Sequence, residues 1–446
     1  CRYTANCIAY GQYGHPKARI IRETFQAFFN LFCELLRNKN ESGLRDGWKA
    51  AVADIQANGA KAIRGPLGNT INLLLEYGWK PHSYHTWQTH ESEWSFTLND
   101  LDTSPKFVIN SFLDRVNEID ANRAECHFCG EGMAGGIDWH NSTVWHRSKS
   151  ISYAQKCALE TIFCGAFWPN CRVHSINTDV SPICTRCKLG ALDTPLHCFW
   201  SCPANANFTD EAVASTQEYI AHAEAFFQES AIFWCRGLIP LTEIRENMAQ
   251  YDPSDNLEII NSPFSVSPVR MDGTIYGDAS GGKFTQYHGL RRVGVGLAQV
   301  DRHGNLLWAM SFNLLGKTQT VPRGELFALV RVAQEALEGA IIDFVTDNMG
   351  NYDKFNSGRD SAILSNNGDL FKILFGEIRV KNLQFSVRWM PSHLDIEDLN
   401  WLPSDIIEID LKGNAFADEQ AGKAATNHLV NLNASSHYLW YINLAS

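Results

Sequence analysis

Long uninterrupted apolar runs are missing from these 446 residues, although 45% of them are hydrophobic. No stretch approaches the length a helix needs to cross a bilayer, so no membrane partner is expected. An excess of positive charge is missing too. The 38 Lys and Arg face 49 Asp and Glu for a net −11, which excludes a generally basic coat that grips nucleic acid by charge alone. The deficit is uneven, since residues 17–80 hold more cations than acids whereas 91–120 is acidic; whole-chain charge is therefore a poor guide to partners. There is no internal repeat. The chain opens at Cys1 without a recognisable signal peptide and is expected to be a fragment of something longer.

Cysteine, by contrast, is plentiful. Thirteen is an odd number, and most fall between Cys126 and Cys202 among histidines. A secreted disulfide framework fits this poorly; Cys-x-x-Cys pairs with nearby imidazoles point to zinc in a reducing, intracellular compartment. Cys184, Cys187, His197 and Cys202 are spaced Cys-x2-Cys-x9-His-x4-Cys. Three thiolates and one imidazole close a tetrahedral structural zinc site with no place left for water, and Leu196, Phe199 and Trp200 would form a small core around it. Cys126, Cys129, His140 and His146, spaced Cys-x2-Cys-x10-His-x5-His, offer a second zinc site, for which Cys157, Cys164, Cys171 and His174 are competing ligands.

Helical periodicity dominates residues 1–120, with helices expected over 17–37, 47–59 and 67–77. His82, His85 and His90 share a loop but lack cysteine or acidic partners at firm spacing, so no metal is expected there. Residues 121–250 form the Cys/His-rich region with a helix over 212–227. Residues 251–268, rich in Asp, Ser, Asn and Pro, read as a linker. A domain follows over 269–430, and 431–446 reads as a peripheral tail.

Within the last domain, 271–348 is the informative stretch. Apolar runs ending at Asp278, 295–300 and 306–314 predict a three-stranded meander; 321–337 predicts a helix with proline in its first turn; Ile341-Ile342-Asp343-Phe344-Val345-Thr346-Asp347 predicts a buried strand ending on an acid. The order βββαβ makes this an α/β unit. Glu325 begins the apolar stripe continued by Ala328, Leu329, Val332, Ala333, Ala336 and Leu337. A carboxylate on a burying face is costly without a cation or donors, and Asp278 and Asp347 at strand ends would only repel it. A divalent metal resolves the conflict.

Five motifs in order resemble the type 1 ribonuclease H domain: Asp278-Ala279-Ser280-Gly281-Gly282, Gly324-Glu325-Leu326, Thr346-Asp347-Asn348, Trp389-Met390-Pro391-Ser392-His393, and the 413–421 segment from Gly413-Asn414 through Asp418. The resemblance implies a mixed five-stranded sheet with flanking helices, preceded here by a mainly helical zinc-binding region. It implies an endoribonuclease that hydrolyses the RNA strand of RNA–DNA hybrids with two magnesium ions, which manganese can replace. Asp278, Glu325, Asp347 and Asp418 become the metal ligands and catalytic acids, with His393 assisting proton transfer or product release. Ser280, Gly281, Gly282, Arg323 and Asn414 become candidate contacts to the hybrid. The 184–202 block, with Asp193-Thr194-Pro195-Leu196-His197 before Cys202, resembles the zinc segment downstream of reverse transcriptase in non-LTR retrotransposons. That likeness implies a polyprotein parent with a reverse transcriptase domain, and a nuclear setting. No two aspartates are adjacent, so a polymerase motif is absent from this chain. The alternatives are a transposase-like DNA nuclease on the same fold, or an inactive retroelement remnant acting as a zinc-dependent nucleic-acid-binding module.

Overall fold

The computed structural model describes residues 2–90, 95–97, 105–241, 257–261, 269–316, 318–392 and 406–445. The N-terminal unit is built from α1 (Arg2–Tyr10), α2 (Pro16–Arg37), α3 (Glu41–Asn58), α4 (Gly65–Glu76) and α5 (Pro105–Glu125), with a small antiparallel sheet of β1 (Lys80–Pro81), β2 (Thr86–Gln88) and β3 (Ser95–Thr97). Its core is aromatic. Trp87 is fully buried, and the rings of Phe25, Phe28, Phe29 and Trp48 lie 5.4–6.2 Å from it. The buried stripe of α2 runs through Ile21, not Ile20, which is 63% exposed. His82, His85 and His90 go to separate partners, Gln88, Thr86 and Glu118.

Helix α5 crosses the boundary drawn between residues 120 and 121, because its C-terminal turn (Ala121, Ala124) packs with Met133, Trp139 and Phe163 of the Cys/His region. That region adds α6 (Tyr153–Phe163) and α7 (Ala231–Arg236).

Residues 257–445 contain a mixed sheet with helices on both faces. Its strands are β4 (Glu258–Asn261), β5 (Gly273–Ser280), β6 (Gly294–Val300), β7 (Leu306–Asn313), β8 (Ile341–Thr346) and β9 (Gln384–Trp389), ordered β4-β7-β6-β5-β8-β9. The meander β5-β6-β7 is antiparallel, while β8 and β9 add parallel to β5. Five strands were expected and six are found among the described residues: β4 lies within the supposed linker, where Glu258-Ile259-Ile260-Asn261 pairs with β7.

Strand alternation divides the side chains between two layers. Ile275, Leu297, Met310 and Phe344 face α8 (Val321–Glu335) and α10 (Gly368–Val380). Tyr276, Ala298, Ala309 and Val345 face α11 (Glu408–Asn427). Along α8 the residues Ala328, Leu329, Val332 and Ala333 are all fully buried, each larger one worth about 1.5–3 kcal/mol. The helix ends at Glu335, so Leu337 leaves the expected stripe and is 74% exposed.

Helix α11 lies unusually close to the sheet. A Cβ added to Gly296 would stand 2.0 Å from the Ala417 carbonyl oxygen, and one on Gly294 2.1 Å from the Ala425 nitrogen. A buried polar network fixes the start of the helix. Tyr276 donates to Asp410 (2.9 Å), and Arg388 donates to both Asp410 (3.1 Å) and Asp343 (2.7 Å).

Residues 431–445, read from sequence as part of a peripheral tail, pack into the fold. Helix α12 (Leu432–Ala445) buries Tyr438 and Ile442 against Phe233 and Trp234 of the Cys/His region and against Phe284 and Leu290 of the β5–β6 connection. Its aromatic content provides the contact area, and the Tyr438 hydroxyl donates to Asp138.

Close approach at Gly296 yields a stability test. Gly296→Ala should cost about 2–4 kcal/mol through overpacking, whereas Gly422→Ala, whose Cβ would meet nothing within 4 Å, should gain up to about 1 kcal/mol from helix propensity. Denaturant unfolding of both variants provides the measurement; equal midpoints would contradict the packing.

Candidate functional site

Three carboxylates converge at one end of the sheet. Asp278 comes from β5 and points to the same face as Tyr276, two residues earlier; Glu325 lies in the first turns of α8; Asp347 follows β8 directly. Each offers an oxygen within 4.8 Å of the others. Asp278 is 8% exposed and Glu325 5%, while Asp347 is half-buried. Asp418, on the exposed side of α11, acts electrostatically on Asp278 and borders the same cleft, of about 400 Å³.

The electrostatics follow from burial and like charge. Loss of solvent, then the Asp347 charge, push Asp278 up to about 8, with Asp418 adding to the effect against the backbone N–H of Ala279. Burial and Asp347 likewise push Glu325 up to about 8, although donors from Asn348 and Thr346 oppose the rise. Such a group cannot be fully ionised by itself. It suits a hard divalent cation, which takes oxygen ligands and tolerates retained water, so the residues present fit a metal.

The rest of the cleft is small and polar. Ser280, Gly281, Gly282, Thr285, Asn348 and Ser392 line it. The Ser280 hydroxyl accepts from Gly282 N (3.3 Å), and Gly282, at φ 61°, turns the chain tightly. Thr285 was not singled out in the sequence, and Asn348 and Ser392 stood within the quoted motifs without being named as site residues. Asn348 carried a signal in its place beside Asp347; Thr285 carried none.

Other expected residues fall elsewhere. His393 lies outside the described residues. Arg323 does not line the cleft, and Asp369 on α10 takes both ends of its guanidinium at 2.9 and 2.5 Å. Asn414 lies one turn before Asp418 but is 9% exposed, held inward by the close seat of α11, and does not line the cleft.

In the Cys/His region, Cys184, Cys187, His197 and Cys202 come together with ligand atoms within 4.8 Å of one another. The Cys184 and Cys202 sulfurs are 3.9 Å apart, and the Cys187 sulfur is 3.5 Å from His197 Nε2. A short hairpin pairing Ile183 with Leu192 builds the first two ligands, and the Thr194 hydroxyl caps the turn that begins at His197. Although burial opposes it, backbone N–H groups of Cys187 and Arg186 pull Cys184 down to about 6. A thiol that ionises so readily is ready for metal.

The second site does not assemble. Cys126 contacts the Asn122 carbonyl, His146 pairs with Glu160 at 2.7 Å, and His140 packs on His288. Cys129 packs against Cys235. Beside this pair the Arg236 side chain is fully buried, with Nε and Nη1 lacking hydrogen-bond partners among the described residues. The four expected ligands thus take separate sets of neighbours, which is why they do not converge.

No protein-family model and no curated protein matches the chain. Among solved structures, the solution structure of the PFV RNase H domain is similar at 15% identity, covering 34% of this chain and 94% of that chain, with a TM-score of 0.26. The chemistry of the cleft is read from its own residues.

A pH test follows from the raised carboxyls. Between the unfolded value near 4 and the folded value of about 8, the metal-free folded state holds more protons than the unfolded one. Its stability therefore falls as pH rises through that window. Asp278→Asn should stabilise the metal-free chain at pH 8.5 by about 1–3 kcal/mol and leave it nearly unchanged at pH 4. Thermal melts in chelator at both pH values check this; a destabilised variant at pH 8.5 would contradict it.

Proposed function

We propose that residues 269–430 hydrolyse the RNA strand of RNA–DNA hybrids, using divalent cations held by Asp278, Glu325, Asp347 and Asp418. The observation that carries this reading is the convergence of four carboxylates, from two strand ends and two helices, on one open polar cleft. Two magnesium ions, replaceable by manganese, would supply an acidified water for attack and positive charge at the leaving oxygen. Asp278, whose carboxyl is raised by both Asp347 and Asp418, would hold a cation together with them. Glu325, held from below by Thr346 and Asn348, supplies a fixed ligand. The 280–282 turn lets backbone approach a duplex whose minor-groove shape and 2′-hydroxyls identify RNA. His393, one residue beyond the cleft-lining Ser392, retains the proposed role in proton transfer or product release.

Zinc is the proposed occupant of Cys184, Cys187, His197 and Cys202, since three thiolates and an imidazole suit that ion and leave no open position. Its role is structural: Trp200, within the ligand segment, donates to the Trp234 carbonyl at 2.6 Å and so joins the metal unit to the helix that α12 packs upon. A reverse transcriptase in the parent chain and an intracellular, nuclear setting belong to the same proposal and rest on the motifs.

Asp347→Asn preserves shape but removes a metal-holding charge. Hybrid cleavage should fall by roughly a thousandfold or more, while hybrid binding, carried mostly by backbone contacts, should persist. Cleavage near the parent rate would overturn the reading. Separately, metal analysis of the purified chain should find at least one zinc, and Cys187→Ser should lower that content and loosen the fold; an unchanged count would reject the ligand set.

A further inference from the structure

Both oxygens of the Glu325 carboxylate are held, and by a single turn of chain. Thr346, the last residue of β8, donates its hydroxyl to Glu325 Oε2 at 3.3 Å. Asn348 donates Nδ2 to Glu325 Oε1 at 3.2 Å. Each carboxylate oxygen thus receives one fixed donor, leaving its other lone pairs for a cation. The two donors are themselves fixed. The backbone N–H of Asn348 donates to the Thr346 hydroxyl at 3.2 Å, and Asn348 Oδ1 accepts from Asn351 N at 2.9 Å, capping α9 (Met349–Asn356). Asn351 in turn donates Nδ2 to the Pro322 carbonyl at 2.8 Å, in the first turn of the helix that carries Glu325. The strand-to-helix turn after β8 therefore grips both the Glu325 side chain and its backbone support.

Resting on the metal-dependent reading above, we propose that Asn348 is a positioning residue that pre-orients Glu325 as a metal ligand. The geometry explains why an amide serves here. It must accept at the helix cap and donate to a carboxylate at once, and a carboxamide does both from one planar group. A serine keeps the cap but has no second arm to reach Glu325. An unheld Glu325 would have to give up rotamer freedom on each metal-binding event, so the effect should appear in metal affinity before maximal rate. Thr346 is fully buried and reads the other oxygen, so it provides an independent second probe.

The test is a manganese titration of the full chain by calorimetry, comparing the parent with Asn348→Ser and Thr346→Val, together with melting in chelator. Asn348→Ser should bind manganese about tenfold more weakly, in line with the loss of one charge-assisted hydrogen bond. Its melting midpoint should match the parent, because the cap is retained. The manganese concentration giving half-maximal hybrid cleavage should rise by a similar factor, with the maximal rate reduced less than the affinity. If Asn348→Ser is too unstable to titrate, Thr346→Val should show the same weakening. Isotherms of a folded variant that superimpose on the parent's would overturn the assignment of Asn348 alone. A parent chain that binds no divalent cation would overturn the metal reading and this assignment with it.

Discussion

Like charges cannot be buried side by side without a counter-charge, and the C-terminal half of this protein is arranged around that constraint. Asp278 and Glu325 are each more than nine-tenths buried, and Asp347 lies against both. Attraction among side chains does not hold them there, since every pair repels. They are carried in by backbone: two strand ends and a helix whose apolar stripe is sealed against the sheet. The fold supplies the free energy that keeps these acids together, and a cation would recover part of it on binding. This is the usual relation between stability and a prepared site.

The same logic applies to α11. Asp418 reaches the cleft only because its helix settles onto glycines of β6, and because Asp410, Arg388 and Tyr276 hold the helix start. Small residues set the distance and a half-buried ion pair sets the register. At the other end of the cleft, the loop carrying Gly281 and Gly282 continues into Phe284 and Leu290, which pack with α12 and with Phe233 and Trp234. The Cys3His unit thus stands behind one wall of the acidic cleft, through Trp200, Trp234 and the C-terminal helix.

Much of this was legible in the sequence where the signal is local. Strand alternation, the stripe of α8 and acids at the ends of apolar runs depend on neighbours a few residues away. So does the Cys184–Cys202 spacing, which a hairpin and a single turn bring together. The misses depend on distant chain. Arg323 is claimed by Asp369, 46 residues on. The second cysteine-histidine set had workable spacing, but Cys129 found Cys235 and a buried Arg236 instead. The strand β4 was hidden because four residues among Ser, Asp and Pro carry little periodicity, and only the open edge of β7 selects them. Helix α12 looked peripheral because its aromatic face has no partner within its own segment.

We propose that this cleft cuts RNA in a hybrid by means of bound divalent cations. The most direct measurement offers the purified chain, in magnesium, three labelled substrates of one sequence: an RNA–DNA hybrid, duplex DNA and single-stranded RNA. The account predicts cleavage confined to the RNA strand of the hybrid and abolished by chelator. Cleavage of duplex DNA, or an intact hybrid in the presence of folded, magnesium-loaded protein, would contradict it.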